Sequence, residues 1–156
     1  MNLIKKIILC FIAIVFITIT ACKKYPDGPL ISLTTKETRL CKVWDVAYFS
    51  INGYDSTAYL KSQVFYGTYK FERPEKGNDG WIIYSALDRN YAGGGSWFFI
   101  NNKKSVGVRC SSYSGFTGNI GPYRAYYVIW DIMRLGENEL WLKTIYNGKE
   151  YFVKFK

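Results

Sequence analysis

From Leu40 onward, apolar and polar residues alternate with a period of two rather than with the 3.6-residue period of a helix. Trp44, Val46 and Tyr48 fall on one face of a strand predicted over 40–51, and Asn52-Gly53 follows as a tight turn because both residues tolerate positive φ. Residues 54–62 are less regular and read as a loop or a short helix. A second strand over 63–72 places Phe65, Tyr69 and Phe71 together, with Gly67 between them marking a bend or bulge. After a turn over 73–80, further strands are predicted over 81–88, 97–101, 105–111, 126–135, 140–146 and 151–155. Asn102-Lys103-Lys104, Gly136-Glu137-Asn138-Glu139 and Asn147-Gly148-Lys149 separate some of these strands. Gly93-Gly94-Gly95 reads as a flexible loop, and 112–123, with three glycines and a proline, as the longest loop. Short strands joined by tight turns define an all-β chain, an antiparallel up-and-down meander of about eight strands. Eight strands suffice to close a small barrel whose interior is either filled by side chains or wrapped around one ligand.

The first 21 residues follow other rules. Lys5 and Lys6 precede an uncharged run over 7–19, too short to span a bilayer comfortably as a helix, and Ile19-Thr20-Ala21-Cys22 closes it. This arrangement resembles the lipoprotein signal motif. The resemblance implies cleavage before Cys22 and a diacylated thioether on that cysteine, hence an outer-membrane protein held by acyl chains such as palmitate, with the leaflet left open. The expected division is a signal peptide over 1–21, a lipid-anchored tether over 22–39 and the barrel domain over 40–156. Within the tether, 23–33 has two prolines and a glycine but no periodicity. Residues 34–39 form a short helical turn that lids or plugs one end of the barrel.

Removal of Lys5 and Lys6 leaves 19 basic residues against 12 acidic ones, so the mature charge is +7 rather than +9. Such a surface attracts anionic lipid, lipopolysaccharide or acidic glycan, or is simply a lysine-rich solvated face. Nucleic acid is a poor partner, since the chain carries no recognition motif for it. The chain has no histidine, which removes the usual general base near neutral pH and the usual serine or cysteine triad. Metal sites of histidine character go with it, and no cofactor is implied. Asp45, Glu72 and Asp131 are the strand-borne carboxylates, and each reads more readily as part of a surface ion pair than of an acid–base pair. The expectation is a protein without enzymatic activity.

With Cys10 in the signal segment and Cys22 lipidated, Cys41 and Cys110 are a candidate disulfide pair, or two small buried hydrophobes in strands. Asp55-Ser56-Thr57 is similar to a bacterial O-glycosylation acceptor, which makes Ser56 a candidate attachment site; an Asx turn accounts for the same residues.

The signal segment, the Cys22-Lys23-Lys24-Tyr25 start, the Trp44-Asp45-Val46 strand leading to Asn52-Gly53-Tyr54-Asp55-Ser56-Thr57, and Leu140-Trp141-Leu142 together resemble the lipocalin-like small lipoproteins of Bacteroidetes. The resemblance implies a meandering barrel on a lipid anchor, with no defined general activity.

Fourteen Tyr, 10 Phe and 5 Trp are more aromatics than closure of a small barrel requires, so some are candidates for a ligand site. Trp97, Phe116 and Tyr123 sit on or beside the two glycine-rich stretches, with Arg89, Arg109 and Arg124 as cations for an anionic head group. The expected function is binding of a small amphipathic ligand or a glycan at a barrel mouth. The alternative is a filled barrel that presents its loops to a protein partner, marked by a packed interior and a flat apolar patch outside.

Overall fold

The computed structural model describes Tyr25 and residues 34–62, 67–86, 92–110 and 127–156. Ten strands form one antiparallel sheet: β1 (Val43–Trp44), β2 (Val46–Ile51), β3 (Tyr54–Asp55), β4 (Gly67–Phe71), β5 (Gly80–Ala86), β6 (Ala92–Ile100), β7 (Ser105–Cys110), β8 (Tyr127–Leu135), β9 (Leu140–Tyr146) and β10 (Lys149–Phe155). Helix α1 (Lys36–Leu40) precedes them, and α2 (Thr57–Lys61) lies between β3 and β4.

The strand order is β1-β4-β5-β6-β7-β8-β9-β10-β2-β3. Only Asp45 separates β1 from β2, so the order begins and nearly ends on one stretch of chain and the sheet curls back on itself. Trp44 pairs with Tyr69 on β4, Val46 pairs with Phe155 on β10, and β1 with β2 acts as one interrupted strand of an eight-strand meander.

Beyond Trp44 the two sides of the curl part, and α2 occupies the β4 side of β2. The Phe49 carbonyl accepts from the Ser56 N–H at 2.8 Å, and the Phe49 N–H donates to Thr57 Oγ1 at 2.9 Å. A strand edge that would otherwise be unpaired is thereby satisfied, and Leu60 of α2 is fully buried beneath it.

The expected helical turn near the start of the domain is α1. Thr35 caps it by accepting from the Thr38 N–H at 3.1 Å, and the indole N–H of Trp44 donates to the Leu40 carbonyl at 2.9 Å. Arg73 ties the 72–79 connection to the same helix through Thr38 Oγ1 at 3.0 Å. This near end of the barrel also carries the turns at 101–104 and 136–139; the far end carries Asn52-Gly53 and Asn147-Gly148, all four residues at positive φ.

Among the described residues the core is aromatic and closely packed. Trp44, Trp97, Trp130, Tyr69, Phe49, Phe71 and Phe155 are almost wholly buried. Tyr69 meets Phe155 edge to face at 5.6 Å between ring centres, and Phe71 meets Trp97 at 5.9 Å.

Several expectations change. Gly93-Gly94-Gly95 is not a loop but part of β6, paired with Tyr84, Ile83 and Ile82 of β5. Tyr48 does not share the inner face of Trp44 and Val46. The β10 register slips between Lys154 and Phe155, which face Tyr48 and Val46, so Ala47 is left over as a bulge and Tyr48 turns outward against Phe152. The loop-or-helix segment resolves into β3 and α2. Phe65 lies outside the described residues.

Cys41 of the candidate pair is a free thiol. It follows α1 at the near end, whereas Cys110 closes β7 toward the far end, opposite Gly95. The five residue steps from Ser105 to Cys110 alone span about 17 Å of strand. A bridge tolerates only about 7 Å between Cα atoms. Burial pushes the Cys41 thiol up to about 11, with Arg73 opposing and Glu37 adding.

Candidate functional site

The outer wall of β5 to β9 carries an apolar surface built by strand register. Trp81 pairs with Ser96, Ser96 with Arg109, and Arg109 with Tyr127, so these four project in one row. One step nearer α1, Phe98 pairs with Gly107 and Gly107 with Ile129. Extending the Asp131–Lys143 pairing by two residues brings Ile145 of β9 opposite Ile129. Trp81 is 63% exposed, Ile145 70%, Tyr127 45% and Ile129 42%, which leaves a contiguous apolar strip facing solvent.

At the centre of the strip, Gly107 lets two rings lie close over the sheet. A Cβ there would stand 2.8 Å from the Phe98 ring and 3.3 Å from that of Tyr127. Phe98 and Tyr127 are parallel within 8° at 6.0 Å between centres. The Arg109 guanidinium lies 4.7 Å from the Phe98 ring centre and pairs with Asp79 at 3.3 Å. A cation, two parallel rings and exposed aliphatic flanks thus share one flat face.

The opposite wall is different. Tyr48, Phe152 and Trp141 cluster on β2, β10 and β9, but all three are half-buried, and the Lys154 ammonium covers Trp141 at 4.1 Å.

Of the residues singled out from sequence, Arg109 lies on the exposed strip. Trp97 does not: it points into the core from the near half of β6, opposite Gly80 and Val108, and its indole N–H donates to the Glu72 carbonyl at 2.9 Å. Phe116, Tyr123 and Arg124, with Arg89 and Cys22, lie outside the described residues. Ser56 precedes α2, its hydroxyl donating to the Tyr54 carbonyl at 3.2 Å, while Asp55 accepts from the Thr57 N–H at 2.8 Å in an Asx turn. The hydrogen bonds from Thr57 hold the Asp55 carboxyl below the usual carboxylate range.

Trp81 and Tyr127 belong to the surplus of aromatics that the sequence offers for a ligand site, whereas Phe98, Ile129 and Ile145 were not singled out. The signal was present in β8, where 126–130 is apolar in both phases of the alternation, so both faces of an antiparallel strand carry apolar side chains.

Glu72 pairs with Lys70 at 2.8 Å, and Asp131 accepts from Ser105 Oγ at 2.8 Å. Among the described residues no group of three or more potential metal ligands occurs, and no helix is long and apolar enough to cross a membrane.

No protein-family model matches the chain, and no curated protein matches it. Among solved structures, the chain is similar to a lipocalin-like protein from Bacteroides uniformis, with a TM-score of 0.49 and 12% identity over 76% of this chain and 97% of that one. It is also similar to an uncharacterized protein from Bacteroides eggerthii, with a TM-score of 0.45 and 10% identity over 75% of this chain and 99% of that one.

Proposed function

We propose that the protein is a lipid-anchored, non-enzymatic interaction module that uses the outer wall around Phe98, Arg109 and Tyr127 to hold a protein partner at the outer membrane. The observation that carries this reading is the exposed apolar strip on a domain whose described core is packed with aromatic side chains. A barrel that stores a small ligand needs space inside it, whereas a docking module needs an uncovered face. Exposed Trp and Tyr beside an Arg are the residue types that most often dominate protein interfaces.

The test is photo-crosslinking from position 127 or 81 in envelopes of the native host. A discrete protein adduct that Ile129→Asp abolishes supports the proposal. Truncation of an anchoring aromatic at an interface costs about 2 kcal/mol or more, roughly 30-fold in Kd. The same change at an exposed position without function stays within about 0.5 kcal/mol for stability. Diffuse labelling, unaltered in Ile129→Asp, overturns it.

A glycan or small amphipathic ligand is a second reading, favoured by the parallel rings of Phe98 and Tyr127 beside the Arg109 cation. In that case purified lipopolysaccharide or acidic glycan binds, and Tyr127→Ala weakens binding without loss of fold.

A further inference from the structure

Tyr25 is almost fully buried, 4% exposed, although it stands ten residues before the first residue of the α1 cap. Its hydroxyl donates to the Lys103 carbonyl at 2.7 Å, and the Lys36 ammonium lies 4.4 Å above its ring. Lys36 also donates to the Lys103 carbonyl at 3.0 Å, and Lys103 pairs with Glu37 at 2.6 Å. Glu137 completes the fastening: it accepts from Thr34 Oγ1 at 2.5 Å and pairs with Lys42 at 3.6 Å. Tyr25 and α1 are therefore both fastened to the 101–104 turn, at the end of the barrel that α1 caps.

From Tyr25 back to Cys22 there are only three residue steps. A fully extended chain covers about 3.5 Å per step, so Cys22 stands within about 10 Å of this buried tyrosine. That reach is about one Debye length at physiological salt, and the far end of the barrel lies a further strand length, about 30 Å, away. Arg73, Lys76, Lys104 and Lys156 are exposed at the near end, in addition to the lysines already in the clamp. Lys103 and Lys104 belong to the 101–104 turn, in which residues 101–103 all have positive φ and Lys104 is exposed.

We propose that the α1-capped end is the membrane-facing surface of this protein, seated on anionic headgroups by the Tyr25 clamp and the surrounding lysines and arginine. The inference rests on the reading of Cys22 as lipid-bearing and adds to it an orientation. The far end, where β5, β6, β7 and β8 open into the 87–91 and 111–126 connections, then points away from the bilayer, and the aromatic outer wall stands upright and reachable from solvent. A loose tether, by contrast, leaves the barrel free to tumble.

The experiment is lysine footprinting with a membrane-impermeant acylating reagent on the full lipidated protein. The protein is compared in detergent and on vesicles of phosphatidylethanolamine with phosphatidylglycerol. Lys76, Lys104 and Lys156 are expected to lose reactivity on vesicles by about threefold or more, with Lys61 and Lys149 unchanged, and the contrast shrinks as salt screens the attraction. Tyr25→Ala is expected to erase the contrast while the acylated mass is retained. Tyr25→Phe, which keeps the ring and loses only the bond to Lys103, weakens it and guards against a folding defect in the alanine variant. Acylated protein protected equally at both ends, or more at Lys149, overturns the orientation alone. A mass without acyl chains overturns the anchoring reading and the orientation with it.

Discussion

Asp45 and Lys156 exchange backbone hydrogen bonds in both directions, each 3.0 Å, across nearly the whole domain. This pair joins the first strand to the last at the point where the first strand changes neighbours from β4 to β10. Nearby, the Phe71 N–H donates to the Lys42 carbonyl at 3.0 Å, so both sides of the curl are fastened within four residues. Burial of Trp44 beside that fastening couples sheet closure to the α1 cap.

Trp44 is accordingly the single side chain whose loss is felt most at closure. Trp44→Ala removes a side chain that is 1% exposed and is expected to cost about 3–5 kcal/mol. Trp44→Phe keeps most of the packing and removes the indole donor from the Leu40 carbonyl, which still accepts from the Lys42 N–H at 2.8 Å, at about 0.5–1.5 kcal/mol. Urea unfolding checks both values. A Phe variant as stable as the parent discards the hydrogen bond as a contributor.

Two glycines separate space from conformation. At Gly80 an added Cβ overlaps the Trp97 indole and stands 2.7 Å from the Glu72 carbonyl, so Gly80→Ala must push apart the core and is expected to cost about 1–3 kcal/mol or more. At Gly53, φ is +80° and nothing lies within 4 Å, so Gly53→Ala meets only the left-handed penalty of about 1–2 kcal/mol. A Trp97→Phe background should relieve part of the first cost and none of the second, which thermal unfolding of the double variants measures.

The alternation of apolar residues and the Asn-Gly turns made the meander legible, because both act through nearest neighbours in sequence. The bulge at Ala47 was not legible: whether Tyr48 faces in or out is decided by its partner strand, more than a hundred residues away. The three glycines of β6 read as a loop for a related reason. Their pairing with Ile82, Ile83 and Tyr84 supplies ladder bonds that intrinsic glycine flexibility does not reveal. Of the candidate site, Arg109 was named and Trp81 and Tyr127 stood among the surplus aromatics, but Phe98, Ile129 and Ile145 were missed, since the expectation followed aromatics beside glycines, whereas exposure follows strand phase. Tyr25 had no periodic signal at all, as its burial depends on a turn 78 residues further along.

Anchoring has its own test. Cys22→Ser is expected to abolish acylation and leave either an unprocessed precursor or a soluble form, since two acyl chains give stable attachment where one is marginal. Recovery of the variant in the membrane fraction with the mass of the lipidated form refutes the assignment.

Alkaline pH should loosen the near end in two stages. Burial raises both the Cys41 thiol, from 9.0 to about 11, and the Tyr25 phenol, whose rise Arg39 partly offsets. A raised pKa in the folded state means that the unfolded chain loses its proton first, so the stabilisation is complete below the ordinary value and fades as pH climbs through the folded one. For Cys41 that window runs from 9.0 to about 11; for Tyr25 it begins at 10.0 and extends above the Cys41 window. Variants separate the two contributions. Urea midpoints measured between about pH 8 and about pH 11 are expected to fall in the parent protein. Cys41→Ala should flatten the early part of the decline, and Tyr25→Phe the later part. A decline identical in all three proteins would remove the half-buried thiol and the buried phenol from the account.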